Sequence, residues 1–184
     1  MATRSGTNAA LVVVDVQAGV VATAWDRDRI VANIARAVER ARAAGVPVIW
    51  VQHEDDDLPR DSVDWKWVPE LQATPGELWI HKHFNSSFED TALLAELDRL
   101  GVSRLFLAGA ATNWCIRATA YGALERGFDL TLLSDAHTTK DLALAPGRVV
   151  PAQVVIDDLN TVMQWLGYPG RTNAAVPVAE AVFG

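Results

Sequence analysis

Apolar and polar positions along this chain alternate between two rhythms. Near-continuous apolar runs, rich in β-branched residues, occupy positions 10–16, 46–52, 78–82, 104–108 and 128–134, the pattern of strands buried on both faces. Between these runs, apolar residues recur at helical spacing. Ile30, Val31, Ile34, Val38 and Ala41 make one helical face, with Asp26 placed to cap it and Gly45 to close it. Leu93, Leu94, Leu97 and Leu100 line a second helix over 91–100, ended by Gly101. A third helix is expected from about Trp114 to Arg126, and a fourth over 151–166 with Pro151 near its first position. Such alternation calls for parallel strands joined by crossovers, so the expected fold is α/β: three layers, αβα, with a mostly parallel central sheet.

No repeat, low-complexity tract or linker divides the chain, and 184 residues suit one domain with a sizeable core. The irregular stretch 53–76 holds Trp65, Trp67, Pro59, Pro69 and Pro75, and a loop of that length reads as a lid or a subunit contact. The tail after Gly167 reads as an extended arm able to pack on a neighbouring subunit, so a homodimer or higher homo-oligomer is expected.

Composition removes several function classes. Half the residues are apolar and 21% charged, an ordinary globular balance, and the longest apolar runs fall well short of a membrane span. Met1-Ala-Thr-Arg-Ser-Gly-Thr7 lacks the apolar core of a secretory signal, and a single cysteine permits no internal disulfide; a cytoplasmic location is expected. A net charge of −7 argues against nucleic acid, which needs a basic face. The run Glu54-Asp-Asp-Asp57 reads as a solvated loop, with a site for a cation or cationic substrate as the alternative. Nucleotide binding is set aside because Asp15-Val-Gln-Ala-Gly19 follows the first strand in place of Gly-x-Gly-x-x-Gly, and no Walker sequence occurs.

Three strand ends carry reactive groups where a parallel sheet holds its ligand. Asp15 closes the first strand, Lys82 closes Leu78-Trp-Ile-His-Lys82, and Cys115 follows the strand ending at Ala108. Singly, each has an ordinary explanation: a turn aspartate, a snorkelling lysine, a buried thiol. Together they offer a base, a cation and a nucleophile, and a thiol in the first turn of a helix lies where the macrodipole favours thiolate. His53 and His137 also lie near strand ends and are alternative partners for the thiol. His81 and His83 flank Lys82 and would face away from it together, but no third ligand stands at a telling spacing, so no metal is expected. Trp25, Trp65, Trp67 and Trp114 are candidate walls for a small organic ligand.

Asp15-Val-Gln17, Lys82-His-Phe-Asn-Ser-Ser-Phe88, Gly109-Ala-Ala-Thr-Asn-Trp-Cys115 and Ser134-Asp-Ala-His-Thr-Thr139 resemble, in order and over nearly the whole chain, the signature blocks of the isochorismatase-like cysteine hydrolases. That resemblance implies a Rossmann-like fold and a catalytic triad of Asp15, Lys82 and Cys115. It also implies a cis peptide between Ala110 and Ala111, and an oxyanion hole made by the N–H groups of Ala111 and Cys115. Gln17, Trp114 and Trp25 become candidate substrate contacts, and no cofactor is implied. Nicotinamidase-like members carry an Asp-x-His metal pair where this chain reads Val51-Gln-His-Glu-Asp55, which speaks against metal assistance. Asn113 stands where many relatives have Asp, and is suited to capping the helix that follows. The expected reaction is therefore hydrolysis of a small amide, carbamoyl compound or lactam through a thioester on Cys115. A vinyl ether hydrolase and a non-catalytic binding member are the alternatives. Within the superfamily, the run from Val51 through Trp67-Val-Pro-Glu-Leu71 to Lys82 is similar to the streptothricin hydrolase type.

Overall fold

The computed structural model describes residues 3–184. Its centre is a six-stranded parallel sheet built from β1 (Asn8–Val14), β2 (Val48–His53), β3 (Leu78–Lys82), β4 (Val102–Ala110), β5 (Asp129–Thr138) and, numbered in chain order, β8 (Asn173–Val176). The strand order is β3-β2-β1-β4-β5-β8. The chain leaves β1 in one direction and returns for β4 on the other side, so the carboxyl ends of β1 and β4 flank a topological switch point, the usual ligand crevice of an open α/β sheet. The three-layer parallel fold expected from the apolar pattern is the one observed.

Alternation along the strands divides the core. Leu11, Val13, Trp50, Phe106 and Ala108 face helix α2 (Arg27–Ala43), preceded by the short helix α1 (Ala18–Val21). Val12, Val14, Ile49, Leu107 and Leu132 face α3 (Leu93–Arg99), α4 (Arg117–Glu125) and α5 (Ala152–Trp165). Strands covered on both sides have no wet face to record as alternation, which is why the sequence shows unbroken apolar runs. Gly109 has φ 125°, and a Cβ there would lie 2.0 Å from the Val14 carbonyl oxygen. Only glycine lets β4 pass β1 this closely at the crevice. No helix among the described residues is long and apolar enough to cross a membrane.

The structure departs from expectation at three points. The tail is no free arm: β8 pairs with β5 from Leu130↔Asn173 to Leu133↔Val176. Beyond it, Val178, Ala181 and Phe183 are buried in the core, with the Phe183 ring 4.4 Å from that of Phe106. A hairpin of β6 (Leu142–Ala145) and β7 (Arg148–Val150) follows β5 where none was expected. Asp26 adopts φ 48° and makes no side-chain cap; it pairs with Arg29 instead. The stretch 53–76 folds back on its own chain, burying Leu58, Val68 and Leu71 and joining Trp67 to Gln17 through a β-bridge.

Candidate active site

Asp15, Lys82 and Cys115 meet at the carboxyl edge of the sheet. Asp15 follows β1 in the left-handed region, φ 51°, a conformation that aspartate tolerates better than most residues and that turns its carboxylate out of the strand's alternation. Its N–H still bonds to the Val51 carbonyl at 2.9 Å, so the turn stays anchored to β2. Lys82 comes from β3, two strands away, or about 10 Å at normal strand spacing. Its long side chain crosses the end of β2, and Nζ reaches Asp15 Oδ2 at 2.7 Å and Cys115 Sγ at 3.2 Å. The ammonium and the carboxylate are essentially inaccessible, whereas the thiol is partly exposed. A reactant must therefore enter from the sulfur side.

Cys115 does not sit in an ordinary first turn of an α-helix. Thr112–Ile116 form a π-helical turn that continues into α4, with the Trp114 and Ile116 N–H groups both donating to the Ala111 carbonyl. Single π turns recur at functional sites because they turn a side chain out of the regular spiral. The end of β5 pins this turn. Thr112 Oγ1 lies 2.9 Å from His137 Nδ1, and Thr139 Oγ1 donates to Asn113 Oδ1 at 2.7 Å, so Asn113 ties the turn to β5 rather than capping a helix. The peptide Ala110–Ala111 is cis.

The electrostatics differ from a standing thiolate. Burial pushes the Cys115 thiol up to about 12, and the negative charge of Asp15 adds to the rise while Lys82 opposes it. Burial also raises the Asp15 carboxyl, against the lowering effect of Lys82. No well-aligned hydrogen bond joins the thiol to Asp15, although the two groups interact. The resting sulfur is therefore a thiol.

The other expected site residues are arranged less simply. Gln17 is buried, and its amide is committed to backbone: Nε2 donates to the carbonyls of His53 at 2.9 Å and Trp65 at 2.8 Å, while Oε1 accepts from the His53 N–H at 3.0 Å. Trp114 is 54% exposed beside the nucleophile and, with Ala111 and Asn113, lines a recess of about 70 Å³. Trp25 lies beyond that recess, its backbone bonded to Thr138 and Thr139. Trp65 and Trp67 line a separate cleft of about 380 Å³ with Gln52, Trp79 and His81. His81 and His83 both turn toward Glu54, at 4.0 and 3.8 Å, and among the described residues no three acidic, histidine or cysteine side chains are grouped to hold a metal.

His137 is buried, and burial holds its pKa down at about 4, so it is a neutral strut. His53 contacts Lys82 Nζ at 3.4 Å rather than the thiol. Two groups at the site went unnoticed in the sequence: the Phe84 carbonyl, 3.1 Å from Lys82 Nζ, and Asn85, whose Oδ1 is 3.9 Å from the sulfur. Both lie in the block that follows Lys82, which was the available signal.

A family model described as the isochorismatase domain matches residues 9–145, from β1 to the end of β6. The chain belongs to the isochorismatase family. It is 37% identical over 153 residues to a streptothricin hydrolase of Streptomyces noursei, covering 78% of this chain. The chain spans only 60% of that relative's length. It is 27% identical to a ureidoacrylate amidohydrolase, RutB, of Methylobacterium radiotolerans, covering 92% of this chain and 83% of the relative. The crystal structure of an isochorismatase from Pseudomonas putida KT2440 superposes with a TM-score of 0.86 at 28% identity, covering 98% of this chain and 92% of that one. Relatives named as amidohydrolases are thus among the proteins this chain resembles.

Proposed function

We propose that this family member is a cysteine-dependent amidohydrolase that cleaves a C–N bond of a small amide, carbamoyl compound or lactam through a thioester on Cys115. One observation carries the reading: a buried ammonium contacts both a carboxylate, at 2.7 Å, and a partly exposed thiol, at 3.2 Å. That arrangement suits moving a proton off sulfur and returning it elsewhere.

With the thiol held near 12, deprotonation accompanies attack instead of preceding it. As the Cys115 sulfur bonds to the carbonyl carbon, its proton passes to Asp15, and the carbonyl electron pair moves onto oxygen. The raised Asp15 pKa makes that carboxylate a better proton acceptor. The N–H groups of Ala111 and Cys115, at the turn that carries the nucleophile, are the donors assigned to the oxyanion in this reading. When the oxyanion collapses, the C–N bond breaks, Asp15 gives its proton to the leaving nitrogen, and a thioester remains. Asp15 then takes a proton from water as the water oxygen attacks. The C–S bond breaks, the acid leaves, and the proton returns to sulfur. Lys82 holds the carboxylate in place throughout. Trp114 is the aromatic wall nearest this chemistry, and Gln17 fixes the ends of the strands rather than the substrate.

The test is an ammonia- or amine-release screen over primary amides, ureas and lactams, with Cys115→Ser as control. Turnover of at least one class, reduced about a thousandfold or more by the substitution, is expected. Ammonia or amine release that survives the substitution would remove Cys115 as the nucleophile, and a silent panel would leave ether hydrolysis or binding without catalysis.

A further inference from the structure

The Lys82 ammonium has three protons and four acceptors around it. These are Asp15 Oδ2 at 2.7 Å, the Phe84 carbonyl at 3.1 Å, Cys115 Sγ at 3.2 Å and His53 Nδ1 at 3.4 Å. His53 is the longest contact while sulfur remains an acceptor. Sulfur does not remain one in a thioester, where its lone pair is shared with the acyl carbonyl, and a buried ammonium proton without a partner is costly.

We propose that His53, oriented by Asp55, is a positioning residue that takes up the third Lys82 hydrogen bond once Cys115 is acylated. The inference rests on the thioester reading above and adds the group that keeps Lys82 against Asp15 while water attacks. His53 Nε2 lies 2.9 Å from Asp55 Oδ2, so Nε2 carries the proton and the Nδ1 lone pair faces the ammonium. The hydrogen bond from His53 holds the Asp55 carboxyl below its ordinary range, which keeps it an ionised acceptor. Its other oxygen accepts the N–H groups of Asp57 and Leu58 at 3.0 and 2.7 Å, fixing Asp55 in the loop turn. Gln17 grips the His53 backbone on both sides. Asp55 thus holds the ring at Nε2 and Gln17 anchors the His53 backbone, leaving Nδ1 aimed at Lys82, and removing that nitrogen should impair deacylation far more than acylation.

Acylation and deacylation can be separated with 4-nitrophenyl acetate. Sulfur displaces 4-nitrophenolate to give acetyl-Cys115, and intact-mass measurement after rapid desalting follows loss of the acetyl group to water. His53→Gln keeps a polar group near Asp55 but loses the Nδ1 acceptor, whereas His53→Asn puts an amide oxygen near the Nδ1 position. Deacetylation is expected to slow by about tenfold or more in His53→Gln, with acetylation changed less than about threefold, and to return to within about threefold of wild type in His53→Asn. The inference is overturned if His53→Gln deacetylates at the wild-type rate, if His53→Asn is as slow as His53→Gln, or if acetylation falls as far as deacetylation. A wild-type protein that takes up no acetyl group at Cys115 overturns the thioester reading itself, and this inference with it.

Discussion

A thiol held near 12 between a carboxylate and an ammonium keeps its proton at rest and feels both neighbours. Burial is the larger cause of the rise and the Asp15 charge the next, with Lys82 pulling the other way. The two neighbours should therefore have opposite effects on simple alkylation. Asp15→Asn removes the negative charge and leaves Lys82 facing the sulfur, so iodoacetamide should react faster near neutral pH even as amide turnover is lost. Lys82→Ala should slow alkylation and move its profile to higher pH, with the thiolate fraction at a given pH falling about tenfold for every pH unit the profile moves. The measurement is the pseudo-first-order alkylation rate against pH, and coincident profiles for wild type and both variants would rule out the coupling. The sequence placed the three groups at strand ends but suggested a standing thiolate, because helix-start position is legible in a sequence and burial is not.

At the level of elements, the nucleophile depends on what β5 and α5 do. Asn160 donates its amide to the Ser134 carbonyl at 3.0 Å, leaving its oxygen 3.0 Å from His137 Nε2. Nε2 must then carry the proton, so Nδ1 accepts from Thr112 in the turn that holds Cys115. Burial lowers the His137 pKa from 6.5 to about 4. The unfolded chain takes up this proton as the pH falls below 6.5 and the folded chain does not. The contribution to stability is thus complete above that pH and is lost progressively down to about 4. The slope approaches about 1.4 kcal/mol per pH unit within this window. Urea midpoints measured across it should show this slope for wild type and lack it in His137→Gln. Five of the strands and the four longer helices were legible because each has its own period or its own run of buried residues. The hairpin of Leu142–Ala145 and Arg148–Val150 was not, since its strands are very short and their apolar residues are mostly exposed, marking no buried face.

For the whole molecule, the C-terminal segment completes the sheet and the core on the α2 face. Phe183 is 4% exposed, packs on Phe106, and lies under Arg40, which donates to the Val178 and Ala181 carbonyls. Phe183→Ala should cost about 3 kcal/mol or more, read as a lower urea midpoint at unchanged slope. A free arm would show no change on the same substitution. Four-residue β8, Asn-Ala-Ala-Val, is too short and too weakly apolar to declare itself, and only its pairing with Leu130–Leu133 makes it a strand. By itself, the sequence determined the layers, the parallel sheet and the strand ends that carry Asp15, Lys82 and Cys115, because burial on two faces and helical spacing are written locally. Tertiary structure alone decided the proton state of the thiol, the commitment of Gln17 to backbone, the meeting of His53 with Lys82 and the docking of the tail. Each of these depends on distances between groups far apart in the chain and on exclusion of water, neither of which a local pattern encodes.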